Sequence, residues 1–289
     1  MSNKQTLENI KKLRELTGVG FKDCKLAIEE NNGDLDKSIE FLRKKGIAKA
    51  SKKMSRTASE GLVLTCEKSG EISIIEINSE TDFVAKNKDF ISFVEEVSNL
   101  TLQCSGKITE LLNSKMRNNK SVNDNLVDLI AKIGEKITIR RCDCFLPDQV
   151  SNFSYIHSAL KKNIGKIGVL LSLKTDKTKD ELTEFGKHLS MHIAATAPMA
   201  LDKNGIDESI INKEKEIIIE QLKSSGKDEK IIEKIATGKL NKFISDNTLL
   251  NQEWIMDPKK KVRDILKEID TTGKIEIMSF VRYKVGEGI

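Results

Sequence analysis

Gly61-Leu62-Val63-Leu64-Thr65-Cys66, Lys68-Ser69-Gly70 and Glu71-Ile72-Ser73-Ile74-Ile75-Glu76-Ile77 form the stretch that decides the fold. Two β-rich runs flank three turn-forming residues, which predicts a β-hairpin. Before this stretch the apolar residues repeat at helical spacing, and after it strands and helices follow in separate runs. That order predicts an α+β protein, with antiparallel sheets covered by helices.

Working outward toward the N-terminus, Leu7, Ile10, Leu13 and Leu16 stripe a first helix that ends at Thr17-Gly18-Val19-Gly20. Cys24, Ala27 and Ile28 stripe a second, stopped at Asn31-Asn32-Gly33. Asp34 caps a third, which carries Leu35, Ile39 and Leu42. A unit this small has a thin core and suits docking. Residues 1–50 are therefore expected to form a three-helix docking domain, followed by a basic linker to about residue 60.

On the other side of the hairpin, Phe90, Val94, Val97 and Leu100 mark one helix, and Val122, Leu126, Leu129, Ile130 and Ile133 another. Alternation from Lys136 to Phe145 gives a strand. The order then recurs: strands at 153–157 and 166–173, helices from about Glu181, and a last strand at 275–283. Two core subdomains are expected, 61–145 and 146–206 with 244–289. Residues 207–243 read as an inserted antiparallel helical hairpin. Ile210, Ile211, Ile217, Ile218 and Leu222 stripe one helix, Ile231, Ile232, Ile235, Leu240 and Phe243 the other, and Ser224-Ser225-Gly226-Lys227 join them. Such a hairpin either self-associates or packs on its own domain.

The 289 residues carry 49 Lys and Arg against 44 Asp and Glu, a net charge of +5. Residues 1–60 hold 14 basic against 9 acidic residues, so the whole excess lies there, chiefly between Arg43 and Arg56. No aromatic residue falls between Phe41 and Phe83, so the stacking platform of a single-strand binder is missing. Direct nucleic-acid binding is not expected. No apolar run approaches the roughly 20 residues of a membrane span, and the first residues lack the pattern of a signal or transit segment. The expected location is the cytoplasm, with no membrane partner.

Chemistry-bearing motifs are sparse. Cys24, Cys66, Cys104, Cys142 and Cys144 are an odd, scattered set that reads as reduced thiols. His188 and His192 stand four apart on one helix face, but Leu189 takes the place of the glutamate that a zinc-protease helix needs. No phosphate loop, dinucleotide fingerprint or nucleophile elbow appears in a strand-to-helix setting. The expectation is a binding protein rather than an enzyme, with no cofactor, metal or catalytic residue.

The remaining segment is Asn78-Ser79-Glu80-Thr81-Asp82-Phe83-Val84-Ala85-Lys86-Asn87, at the end of the second hairpin strand. Asn87 is placed to cap the helix carrying Phe90. From the residues alone, Phe83 is either an edge residue of the core or an aromatic wedge offered with an adjacent carboxylate to a partner.

Thr81-Asp82-Phe83-Val84-Ala85-Lys86-Asn87 resembles the T-D-F-V-A motif of the bacterial elongation factor Ts family, nucleotide exchange factors of elongation factor Tu. The resemblance extends to residues 16–25, 43–50, 131–137 and 188–195, and ends with Phe280-Val281-Arg282-Tyr283-Lys284-Val285-Gly286-Glu287-Gly288-Ile289. It implies a ubiquitin-associated-like three-helix domain, two core subdomains and a coiled-coil hairpin at 207–243 able to mediate a homodimer. It also implies a function: binding elongation factor Tu with GDP, inserting Asp82 and Phe83 near the magnesium and phosphate site, and releasing GDP. Thr81, Asp82, Phe83 and Val84 are the implied wedge. Val19, Gly20, Phe21, Lys25, Ile133, Gly134 and His157 are implied secondary contacts. Many members continue past G-E-G-I with a helix that touches the partner. This chain ends at Ile289, so the N-terminal module is expected to carry more of the docking. The competing reading is a basic RNA- or ribosome-associated scaffold using residues 43–56.

Overall fold

The computed structural model describes residues 3–17, 19–223 and 228–289. Gly18 and the expected turn Ser224–Lys227 lie outside the described residues, as does the side chain of Lys49. The chain divides into two units. The first comprises Met1–Cys144, Ser158–Gly168 and Tyr283–Ile289, the second Phe145–His157 and Val169–Arg282.

The first unit opens with α1 (Asn3–Thr17), α2 (Phe21–Glu30) and α3 (Leu35–Lys53). Ile10, Leu13, Cys24, Ala27, Ile28 and Leu42 form their core. Leu7 and Leu16, expected in the same stripe, are exposed. Each three-residue step falls about 60° short of a full turn, so the outer members of a four-residue series point opposite ways. Asp34 caps α3, its carboxylate accepting from Lys37 N at 3.0 Å.

Of the expected linker, residues 51–53 close α3 and residues 54–59 connect it to the hairpin that starts at Glu60, while the basic run from Arg43 lies mostly on α3. Its lysines and alanines are good helix formers, and several of its cations are paired. Arg43 meets Asp124 at 3.0 Å, Lys44 meets Glu40 at 2.8 Å and Lys45 meets Asp23 at 3.0 Å. Beyond the helix, Arg56 meets Glu80 at 3.2 Å.

The hairpin follows as β1 (Glu60–Lys68) and β2 (Glu71–Ser79), antiparallel in the register Leu62↔Ile77 and Leu64↔Ile75. Ser69 and Gly70 both have positive φ, 53° and 84°, as a primed two-residue turn requires. Next come α4 (Asp82–Ala85), α5 (Lys88–Gln103), α6 (Ile108–Asn113), α7 (Val122–Ile133) and β3 (Ile137–Phe145). After β4 (Ser151–His157), a strand of the second unit, β5 (Ile164–Gly165) pairs antiparallel with β1. The sheet order is β3-β2-β1-β5. Alternate residues Leu62, Leu64, Ile75 and Ile77 share one core with Phe90, Phe93, Val94 and Val97 of α5 and with Leu129 and Ile130 of α7.

Asn87 caps α5 as expected, accepting from Asp89 N at 2.8 Å and Phe90 N at 3.4 Å. Asn87→Ala is expected to cost about 1 kcal/mol in a thermal melt. A cost near zero would show the cap to be idle.

The other face of β2 holds a buried carboxylate. Glu76, with no exposed side chain, accepts from Arg141 Nε at 2.6 Å, Gly286 N at 2.9 Å, Asn78 Nδ2 at 3.0 Å and Arg140 Nη1 at 3.1 Å. Arg140 also donates to the Glu287 carbonyl at 2.6 Å. The C-terminal segment is thereby fixed to the sheet.

In the second unit β6 (Ile167–Lys174) stands between β4 and β9 (Glu276–Lys284). The helices are α8 (Thr183–Thr196), α9 (Glu208–Lys223), α10 (Glu229–Asn247) and α11 (Val262–Ile269), with a small antiparallel pair β7 (Glu253–Trp254) and β8 (Asp257–Lys261). In the expected hairpin, α9 and α10 close on each other through Ile218, Leu222, Ile232 and Ala236. Ile217 and Ile231 remain exposed.

His192 is fully buried, stacked on Trp254 with ring centroids 5.1 Å apart. Its Nε2 lies 3.0 Å from Gln252 Oε1, and Ile255 N donates to Nδ1 at 3.4 Å, an arrangement that suits the neutral ring. Burial lowers its pKa, against the weaker upward pull of the Gln252 bond. A folded pKa below the unfolded value of about 6.5 means that the unfolded chain takes up the proton first. The associated stability is present above that value and is lost as pH falls through it. Thermal melts from pH 7.5 to 5.5 should show this loss, with a reduced slope in His192→Gln. An unchanged slope would clear His192 of the effect.

Candidate partner-binding site

The wedge segment folds as a single helical turn at the end of β2. Residues on a helix are 100° apart, and the turn uses this to divide its faces. Val84 and Ala85 are buried in the main core, while Phe83 is 79% exposed, the largest value among the big apolar side chains described. The edge-core reading of Phe83 is therefore excluded. Its ring stands in solvent on a turn anchored by its two neighbours.

Asp82 is partly exposed and pairs with Lys86 Nζ at 2.8 Å, one helical turn away. The Lys86 ammonium holds its carboxyl below the usual range, and Asp82 in turn raises the lysine. Asp82 is thus ionised at neutral pH and held by a pair that solvent exposure keeps weak. A groove of about 400 Å³ begins beside it, with Leu62, Ala85 and Leu160 among its walls.

Two carboxylates fix the base of the turn. Thr81 donates from its N–H to Glu135 Oε2 at 3.0 Å and from its hydroxyl to Oε1 at 2.9 Å. Reciprocally, Lys136 N donates to Glu80 Oε1 at 2.5 Å. Burial pushes the Glu80 carboxyl up, but the Lys136 amide and Arg56 outweigh it, so Glu80 stays below its usual value. Lys136 Nζ donates to the carbonyls of Met54 at 2.8 Å and Arg56 at 2.7 Å, and Lys53 donates to the Gly134 carbonyl. Sequence reasoning gave Glu80 and Glu135 no role. The signal was the placing of one acid beside Thr81 and another directly after the αL residue Gly134, whose pairing requires β2 and β3 to be neighbours.

The other anticipated residues are distributed more widely. Ile133 ends α7 partly buried against the main core, and Gly134, with φ of 90°, turns the chain into Glu135. The clamp thus links Gly134 to the wedge. Gly20 and Phe21 start α2 in exposed positions, while Val19 packs against the three-helix core. Lys25 is exposed and pairs with Glu29 at 3.7 Å. The module meets α7 through α3, where a Cβ on Gly46 would lie 3.2 Å from that of Ala131. His157 is exposed at the end of β4 in the second unit, with Nδ1 3.1 Å from Tyr155 Oη.

Among the described residues, no group of three or more His, Cys, Asp or Glu is placed to hold a metal ion. No helix among them is long and apolar enough to cross a membrane.

The chain carries an exposed aromatic on a core-anchored turn, a three-helix module and a helical hairpin, and comparison with known proteins gives its class: a translation elongation factor. The family model described as Elongation factor TS matches residues 80–287. The chain is 42% identical over 284 residues to Elongation factor Ts of Paracoccus denitrificans, covering 98% of this chain and 93% of that one. It is 38% identical over 285 residues to Elongation factor Ts of Maricaulis maris, covering 97% and 91%. With Elongation factor Ts of Rickettsia felis it shares 39% over 283 residues, covering 97% and 91%. The chain belongs to the elongation factor Ts family.

Proposed function

We propose that this chain is a guanine-nucleotide exchange factor that binds elongation factor Tu with GDP and releases the nucleotide by inserting Phe83 beside the partner's magnesium and phosphate site. The observation that carries the reading is the 79% exposure of Phe83 on a turn whose next two residues are buried. An exposed aromatic on a rigid base enters a partner at little entropic cost. Asp82 would exchange its lysine for a donor on the partner and fix the ring's approach. Val19, Gly20, Phe21, Lys25, Ile133, Gly134 and His157 would supply the broader interface.

The mechanism needs no covalent step by this chain. Factor and nucleotide weaken each other's binding to the same protein by equal amounts. Each tenfold loss of GDP affinity requires about 1.4 kcal/mol of differential binding, within the range of one aromatic hot spot. Work on a translation factor implies a cytoplasmic location. The exposed Ile217 and Ile231 support the hairpin as a second association surface, including for a homodimer. The RNA-scaffold alternative is weakened by the pairing of Arg43, Lys44, Lys45 and Arg56 with carboxylates of this chain.

The deciding experiment is release of fluorescent GDP from purified elongation factor Tu, with and without this chain. Release accelerated in proportion to added factor, up to a plateau, is the expected result. Release at the spontaneous rate would refute the proposal.

A further inference from the structure

We propose that Glu135 is a positioning residue that presets the direction of the Phe83 ring, an inference that rests on the exchange reading above. α4 has four residues, far too few to hold a helical form by itself. Phe83 is 79% exposed, so its own packing does little to orient it. Its direction is fixed from below by Val84 and Ala85 in the core, and from the N-terminal side by Thr81.

Thr81 precedes the turn but does not cap it with its own side chain. Its hydroxyl is engaged by Glu135, which spends both carboxylate oxygens on this one residue: the N–H at 3.0 Å and the hydroxyl at 2.9 and 3.1 Å. A backbone donor and a side-chain donor held together leave the Glu80–Thr81 peptide, which leads into the turn, little freedom to rotate. Charge-assisted bonds of this kind are the stronger class.

Glu135 is itself supported. Gly134 turns the chain in the left-handed region, and its carbonyl accepts from Lys53. The next amide, Lys136 N, is held by Glu80, the residue before Thr81. The two acids therefore cross-link the end of β2 to the start of β3 in both directions. Without the clamp the turn would remain attached through Val84 and Ala85. The ring would then sample several directions, and only a fraction of the bound complexes would hold it in the productive one.

The test uses the full chain as wild type, Phe83→Ala, Glu135→Ala and Glu135→Gln, with thermal melts to give the folded fraction. Two quantities are read for each: the plateau rate of fluorescent-GDP release from elongation factor Tu with the factor concentration at half-plateau, and amide hydrogen exchange at Thr81, Lys86 and Asn87. Glu135→Ala should lower the plateau about tenfold at an unchanged half-plateau concentration, because contacts remain but productive geometry is rarer. Its Thr81 amide should exchange about tenfold faster or more. Glu135→Gln, which keeps one acceptor oxygen, should recover part of both. A Glu135→Ala plateau equal to wild type, or reduced only in proportion to the folded fraction, overturns the proposal. So does unchanged exchange at Thr81, which reads the clamp without the partner. If wild type itself fails to accelerate release, the exchange reading falls instead, while amide exchange still decides whether Glu135 orders the turn.

Discussion

Phe83→Ala is expected to reduce the plateau rate of GDP release from elongation factor Tu about thirtyfold, the loss typical of one interfacial hot spot. The melting temperature should stay nearly unchanged. The ring is 79% exposed, so its removal opens no cavity, and surface changes of this kind stay within about 0.5 kcal/mol. Alanine is also a better helix former than phenylalanine, and Val84 and Ala85 keep the turn seated. The separation of the two effects is the diagnostic feature. A variant that is folded and still exchanges at the wild-type rate would end the wedge reading. A variant that unfolds would show that the ring stabilises the fold.

Glu76→Ala should have the largest effect on stability, about 3 kcal/mol in urea unfolding. Removing this carboxylate leaves Arg140, Arg141, Asn78 and the Gly286 amide without their shared acceptor. Burial pushes the Glu76 carboxyl up, yet the Gly286 amide, Asn78 and Arg141 together hold it below its usual value. A lowered folded pKa means that the stabilisation is complete above the unfolded carboxyl pKa of about 4.3 and is lost as pH falls through the folded one. The wild type should therefore lose stability steeply in acid, and Glu76→Ala should lose less over the same range. Gly286→Ala tests the same anchor from the other side. Gly286 has φ of 74°, and a Cβ there would lie 2.1 Å from the Ser59 carbonyl oxygen. Wild-type stability in both variants would show that the C-terminal segment is held by other means.

Much of this architecture was legible because its signals are local. Hairpin β1–β2 needs only two apolar β-rich runs and a Ser-Gly turn that accepts positive φ. The caps at Asp34 and Asn87 need only a short polar side chain whose oxygen accepts from an amide two or three residues on. Helices α9 and α10 declare themselves by their isoleucine stripes. Charge alone did not show where the basic run sits: most of it lies on α3, and Asp124, Asp23 and Glu80 come from distant positions to pair with it. Short elements such as β5, β7 and β8 left no readable period. β5 is a two-residue strand that exists only because β1 offers it an edge.

The sequence by itself determined the helical module, the alternation of sheet and helix, the inserted hairpin and the family to which the T-D-F-V-A segment points. All of these follow from contacts between residues a few positions apart. Only the tertiary structure decided that Phe83 faces water rather than the core, that Glu135 reaches Thr81 across 54 positions, and that Glu76 binds Gly286 across 210. Burial and long-range hydrogen bonding depend on which strands become neighbours, and that is settled by the packing of the whole core, a property no local window contains.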